Sequence, residues 1–208
     1  LSYYLIQASM ELAKEKGACE WFSETKYSKG LLPVHTYKKA IDDVVTDHVL
    51  RLDWDELAGD VMLYGMRNST VMALMPVESS SQAINATNGM EAPRSPVSIK
   101  SSKDGTLKQV VPEIAKLKNK YEYLWDMPNT RGTLEIAAIW TTFADQAVST
   151  NTSYNPTHYD GKVPMSELIR DVVYAYKLGA KTLYYQNTFD GSGDVFDEPE
   201  AECESCVL

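Results

Sequence analysis

The stretch STVMALM at residues 69–75, followed at once by PVESSSQAINATNG at 76–89, decides how the chain is read. A short apolar run closed by polar residues predicts a strand buried on both faces, as in a parallel sheet under helices. Pro76 is tolerated at a helix start, so a strand-to-helix passage follows. Outward from it the pattern alternates. Upstream, YYLIQASMELAKEKG (3–17) predicts a helix, with Leu5, Ala8, Leu12 and Ala13 near helical spacing and Gly17 as its stop. A second amphipathic segment spans about 37–45, and WDELAGDVMLYG (54–65) predicts a helix capped by Asp53 and ended by Gly65. Downstream, SPVSIKSSKDGTLKQVV (95–111) reads as a β-hairpin turning at Asp104-Gly105. Helical patterns resume in PEIAKLKNKYEYLWDM (112–127) and GTLEIAAIWTTFADQAV (132–148). STNTSY (149–154) predicts a short strand, PMSELIRDVVYAYKLGA (164–180) the last helix, and KTLYYQN (181–187) a last strand. The predicted class is α/β with parallel pairing, one body over residues 1–188 without internal repeats. Residues 189–208, rich in Gly, Ser, Asp, Glu and Pro, read as a flexible, disordered acidic tail.

Composition narrows the function classes. With 44% hydrophobic and 24% charged residues, the chain is a folding one, neither collagenous nor wholly disordered. No apolar run approaches the roughly 20 residues of a membrane-spanning helix, and no signal-peptide pattern opens the chain. Leu1 and a first helix without a capping signal predict a chain that begins inside a larger structure. The net charge is −9, yet no Lys or Arg follows Lys181, while Asp190, Asp194, Asp197, Glu198, Glu200, Glu202 and Glu204 do. Setting aside those seven leaves −2 for the body. Nucleic acid and anionic membranes, which need a basic face, are excluded as partners. Cys19 stands alone, and Cys203 and Cys206 form a CESC pair near the end. An odd count without a signal peptide predicts a reducing cytoplasm.

Three places could carry chemistry. At Pro76, Val77, Glu78, Ser79 and Ser80, a helix opening beyond a strand offers free N–H groups and a positive dipole end to a phosphate. The same serines also suit a plain helix cap that binds nothing. Tyr184 and Tyr185 could pass a proton and an electron between them, although neighbours in a regular strand point to opposite faces and ordinary aromatic packing also fits. The Cys203/Cys206 pair could close a reversible disulfide on a mobile tether, or could be two thiols of no consequence. Cys19, beside Trp21 and Phe22, reads as a buried small hydrophobe. No second cysteine pair supports zinc, no Ser/His/Asp order supports a hydrolase, and neither dinucleotide nor P-loop fingerprints occur.

Taken together and in this order, these features resemble one family. KGACEWFSETKYSKGLLPVHTYKK, GMRNSTVMALMPVESSSQAINATNGMEAPRSPVSIKSSKDG, LKQVVPE, GKVPMSELIRDVVYAYKLGAKTLYYQNT and the CESC ending are similar to the C-terminal part of the large (alpha) subunit of class Ia ribonucleotide reductase, of the enterobacterial and phage type. The resemblance covers nearly the whole chain. It implies the later strands of a ten-stranded α/β barrel. It further implies that Pro76, Val77, Glu78, Ser79 and Ser80 grip the substrate diphosphate, and that Tyr184 and Tyr185 are the last relay of radical transfer. It gives Cys203 and Cys206 the reduction of an active-site disulfide, themselves reduced by thioredoxin or glutaredoxin. The tail departs from the enterobacterial pattern, with only two residues between its cysteines; a tighter loop implies a different redox potential or reductant.

The family's radical-bearing cysteine sits in an Asn-x-Cys-x-Glu motif that Cys19 does not match. The active-site cysteine pair, the specificity-effector site and the N-terminal activity domain also lie upstream in the family. The resemblance therefore implies catalysis only with an upstream half of the large subunit, either as a piece of a longer polypeptide or as half of a split gene. The small (beta) subunit, carrying a di-iron tyrosyl radical, is the other implied partner; no cofactor is implied in this chain itself. A non-catalytic interaction module whose acidic tail docks a partner is the alternative reading. A free-standing thiol oxidoreductase is disfavoured, because nearby carboxylates raise thiol pKa values.

Overall fold

Ile6, Met10 and Ala13, spaced by four and three residues, build the first buried helical face. They lie on helix α1 (Ser2–Lys16), which ends at Gly17 with φ 81°. The computed structural model describes residues 1–45, 49–102 and 105–191. His48, Asp104 of the predicted turn, and Cys203 and Cys206 of the predicted tail lie outside the described residues. The predicted helix is present, but its face is rotated: Ala8 and Leu12 are exposed, and Ser2 and Ser9 are buried instead. Those serines are satisfied by long-range bonds, Ser2 Oγ donating to the Phe143 carbonyl and Ser9 Oγ to Asn68 Oδ1. Hydrophobic spacing alone does not anticipate that satisfaction.

Short helix α2 (Pro33–Thr36) and a 3₁₀ turn at Lys39–Asp43 follow, where an amphipathic segment is predicted. Helix α3 (Trp54–Tyr64) starts as expected, with Asp53 accepting the Glu56 N–H at 2.9 Å, and stops at Gly65. Its Trp54, Leu57 and Val61 pack with Ile6, Met10, Tyr27, Leu32 and Met66 in the largest apolar cluster.

Residues 69–75 correct the opening expectation. Among the described residues they form no strand, only one isolated parallel bridge, Leu74 with Val148. Met72 is buried, whereas Ala73 and Met75 are exposed, so neither face is wholly covered by the described residues. Helix α4 (Glu78–Ala83) follows. The predicted hairpin is present as β1 (Val97–Ser102) and β2 (Gly105–Val110), antiparallel, with Ser102 opposite Gly105.

The helix expected over 112–127 shrinks to α5 (Ile114–Leu117) and one 3₁₀ turn. None of α5 is buried, and helices of this length draw most of their stability from burying a face. Tyr121 and Tyr123 instead donate back to the carbonyls of Pro112 and Lys118 and fold the segment on itself. Helix α6 (Arg131–Thr141) sends Ala137 into one apolar cluster with Met72 and Val148, and Ala138 into another with Ile41 and Leu178.

Strand β3 (Thr152–Tyr154), helix α7 (Met165–Lys177) and strand β4 (Gln186–Thr188) complete the described chain, and β3 pairs with β4 in parallel. On the chain from 147 to 154, odd-numbered groups face Leu74: the Ala147 carbonyl and the Ser149 amide. Even-numbered groups face the tyrosine segment: Thr150, Thr152 and Tyr154. Residues 71–74, 147–154 and 184–189 therefore lie side by side as three parallel runs, the alternation expected of sheet hydrogen bonding. No helix among the described residues is long and apolar enough to cross a membrane.

Candidate functional site

Asp145 fixes where these runs begin. Its carboxylate accepts the amides of Val71 and Met72 at 2.6 and 2.9 Å and the Tyr27 hydroxyl at 2.8 Å. Burial, reinforced by this carboxylate, pushes the Tyr27 phenol well above its ordinary pKa. Across the same end, Lys181 Nζ donates to the carbonyls of Ala144, Asp145 and Gln146, each at 2.9 Å. A cavity of about 380 Å³ opens beside these groups, but its ammonium is already saturated by main-chain oxygens.

At the opposite, carboxyl end lies a second cavity of about 210 Å³, bordered by Met75, Pro76, Asn88, Glu91, Thr150 and Asn151. That is less than the roughly 300–1,000 Å³ of ordinary ligand pockets. Of the predicted phosphate-gripping residues, Pro76 and Val77 are half-buried, and Ser79 and Ser80 are exposed. No serine caps α4. Val77 holds the cap position, and its apolar side chain gives the first turn no capping hydrogen bond. Val77 is itself fixed from outside, its N–H donating to Asn88 Oδ1 at 2.8 Å.

The tyrosines lie at the entrance to β4. Their ring centroids are 4.2 Å apart with planes inclined by 56°, and the Tyr184 hydroxyl is 3.5 Å from that of Tyr185. Both rings are about half exposed. A regular strand would send them to opposite faces. Hydrogen bonds explain why it does not. In an even parallel ladder one residue would serve both the Thr150 carbonyl and the Thr152 amide. Here the Tyr184 N–H donates to Thr150 O at 2.8 Å, while the Thr152 N–H donates to Tyr185 O at 2.9 Å. Two residues thus oppose one, a β-bulge centred on Asn151, and bulges re-aim side chains in this way. The regular register, Thr152 opposite Gln186, resumes directly afterwards.

Asn151 is almost fully buried at the centre of the bulge. Its Oδ1 accepts the Tyr185 N–H at 3.0 Å, and its Nδ2 donates to Glu91 Oε1 in a short hydrogen bond. A path of hydrogen bonds and one short loop, Val77–Asn88–Glu91–Asn151–Tyr185, therefore links the predicted phosphate loop to the predicted relay. Asn88, Glu91 and Asn151 escape the sequence reading, since Asn in TNG and STNTSY carries only a turn signal. Cys19 is half-buried with a free thiol, its N–H donating to the Met66 carbonyl. Among the described residues no group of three or more His, Cys, Asp or Glu side chains is placed to hold a metal ion.

A second buried cluster stands behind β3. The Tyr154 hydroxyl donates to Asp171 Oδ2 at 3.1 Å, and Arg131 lies 3.6 Å from Asp171 Oδ1. Burial, then Asp171, raises the Tyr154 pKa; burial, then a hydrogen bond to Glu135, pushes Tyr174 up to about 12.

Comparison with known proteins gives the family. Residues 1–186 match the family model described as ribonucleotide reductase, barrel domain. The chain is 55% identical over 204 residues to the ribonucleoside-diphosphate reductase subunit alpha of Haemophilus influenzae, covering 98% of this chain and 27% of that protein. It is 53% identical to ribonucleoside-diphosphate reductase 1 subunit alpha of Salmonella typhimurium, covering 99% of this chain and 27% of the relative. It is 45% identical to the subunit alpha of Enterobacteria phage T4, covering 100% and 28%. The chain thus spans about a quarter of the length of the curated relatives it matches.

Proposed function

The chain belongs to the ribonucleotide reductase barrel-domain family, and on that premise we propose that it forms part of the large subunit of a class Ia ribonucleoside-diphosphate reductase. Its contributions are a phosphate grip, a radical relay and a tail dithiol. The overall reaction takes a ribonucleoside diphosphate and a dithiol to a deoxyribonucleoside diphosphate, a disulfide and water. The setting is the cytoplasm of a bacterium or of a phage-infected one.

The observation that carries this reading is the contact between Tyr184 and Tyr185. A phenol that loses one electron and one proton becomes a neutral radical, and a phenol in contact can return both. The oxidising equivalent passes while each tyrosine is restored on the return step. Ring contact and near hydrogen-bonding oxygens are what such an exchange requires. The initial oxidant would come from the small subunit, as a tyrosyl radical on a tyrosine beside its di-iron centre; no residue of this chain is assigned to that metal. The acceptor is a cysteine in the upstream part of the large subunit.

Pro76, Val77, Glu78, Ser79 and Ser80 grip the diphosphate at the first turn of α4, with Asn88 holding the Val77 main chain in place. Cys203 and Cys206 return two electrons to the active-site disulfide and are re-reduced by thioredoxin or glutaredoxin.

Replacing Tyr184 or Tyr185 by Phe keeps the ring but removes the exchangeable hydrogen. In the assembled enzyme each variant is expected to lose turnover while binding the small subunit with unchanged affinity. Wild-type turnover in either variant overturns the relay. Replacing both tail cysteines by Ser is expected to leave a single turnover from prereduced enzyme but no thioredoxin-driven cycling.

A further inference from the structure

The bulge at the tyrosines needs something to hold it, and the geometry points to Asn151, clamped by Glu91, as the positioning residue for Tyr185. This inference rests on the relay reading above and deepens it.

The Tyr185 amide donates not to a main-chain carbonyl but to a side chain, Asn151 Oδ1. An unpaired N–H there would favour relaxation of the segment to a regular ladder. In a regular ladder Tyr184 and Tyr185 would alternate to opposite faces and their rings would part. Only a side chain that accepts on one end can fill this place, and Asn151 uses its other end as well. Its orientation is fixed by chemistry: the Glu91 carboxylate can only accept and the Tyr185 N–H can only donate, so a flipped amide would lose both bonds. Burial of Asn151 keeps water from substituting for either partner. Glu91 in turn belongs to the short loop in which its own N–H donates to the Asn88 carbonyl at 3.2 Å. Asn151 acts on Tyr185 through its main-chain N–H, and Glu91 acts through Asn151.

The test uses the assembled reductase, with the large subunit complete and the small subunit present. Asn151→Asp keeps an acceptor for the Tyr185 N–H but turns a carboxylate against Glu91. It is expected to lower kcat by about 10- to 100-fold while moving KM for the nucleoside diphosphate by no more than about twofold. Glu91→Gln alone is expected to lower kcat by about two- to fivefold, since an amide oxygen can still accept from Asn151. Combining the two reverses donor and acceptor and restores the bond, so the double variant is expected to regain about tenfold in kcat over Asn151→Asp. The radical trapped on a Tyr185→3-aminotyrosine probe should fall and recover in step.

Wild-type kcat in Asn151→Asp, or a defect that Glu91→Gln fails to relieve, overturns the inference. So does a loss expressed mainly in KM. Should Asn151→Asp fail to fold, Glu91→Leu carries the test from the half-buried loop, and an unchanged kcat there overturns the clamp. Tyr185→Phe is assayed alongside: turnover in that variant overturns the relay itself. An inactive Tyr185→Phe beside a fully active Asn151→Asp overturns only the positioning role.

Discussion

Asp145 gathers two main-chain amides and a phenol on one carboxylate. Asp145→Ala is expected to lower stability by about 2–4 kcal/mol, because leaving buried donors unpaired costs more than the bonds contribute. Tyr27→Phe, which removes one donor and its need together, should cost about 1 kcal/mol. Urea unfolding of the two variants checks the ratio, and equal losses would show that Asp145 is not the hub. At this scale the sequence was partly legible. Tyr184, Tyr185 and the 76–80 loop stand out as residue types suited to their proposed chemistry. Asn151 and Glu91 do not, because an Asn in a polar run and a Glu in a loop look alike whether they face water or each other.

Elements were more legible than their faces. Helix α3 starts at its Asp53 cap, and α1, α3 and α7 stop beside Gly17, Gly65 and Gly179, since those signals act within one or two turns; α6, without a side-chain cap or a glycine stop, ends at Thr141 rather than at the expected 148. The stop after α7 is strict. Gly179 has φ +86°, and a Cβ there would meet the Lys38 side chain at 2.5 Å. Gly179→Ala is therefore expected to cost about 2 kcal/mol, from the left-handed backbone and the clash together, read as a lower thermal midpoint. The tyrosines that tie elements together predict an alkaline limit. Tyr27, Tyr154 and Tyr174 all hold their protons above the ordinary 10.0. Above pH 10 the unfolded chain releases phenol protons that the folded chain retains, so stability falls as pH rises. Urea midpoints are expected to drop between about pH 10 and pH 12, and Tyr174→Phe should flatten part of that slope. A slope unchanged by Tyr174→Phe would dismiss its hydrogen bond to Glu135 as a contributor.

Over the whole molecule, α7 turns Ile169, Val172, Val173 and Tyr176 outward, one helical stripe left uncovered by the described residues, and buries Asp171 and Ala175 instead. An apolar stripe on this scale suits a chain that packs against further protein. On its own the 208-residue chain is expected to give no deoxynucleotide. Mixed with a polypeptide supplying the remaining length of the alpha subunit, and with the small subunit, it should form a stable complex with turnover; turnover by the chain alone would overturn the proposed division of labour. The order of helices and the α/β class follow from local signals in the sequence, and the family from long blocks of it. The strand expected at 69–75 is less legible: its pairing is a property of neighbours, and with one bridge to Val148 it forms no extended ladder among these residues. What only the tertiary structure decided is the site. Sequence spacing puts adjacent strand residues on opposite faces, and it took hydrogen bonds from Thr150, Asn151 and Thr152, more than thirty positions away, to set Tyr184 against Tyr185. Local propensity acts over a few residues, whereas the bulge is held by partners that meet only once the chain has folded.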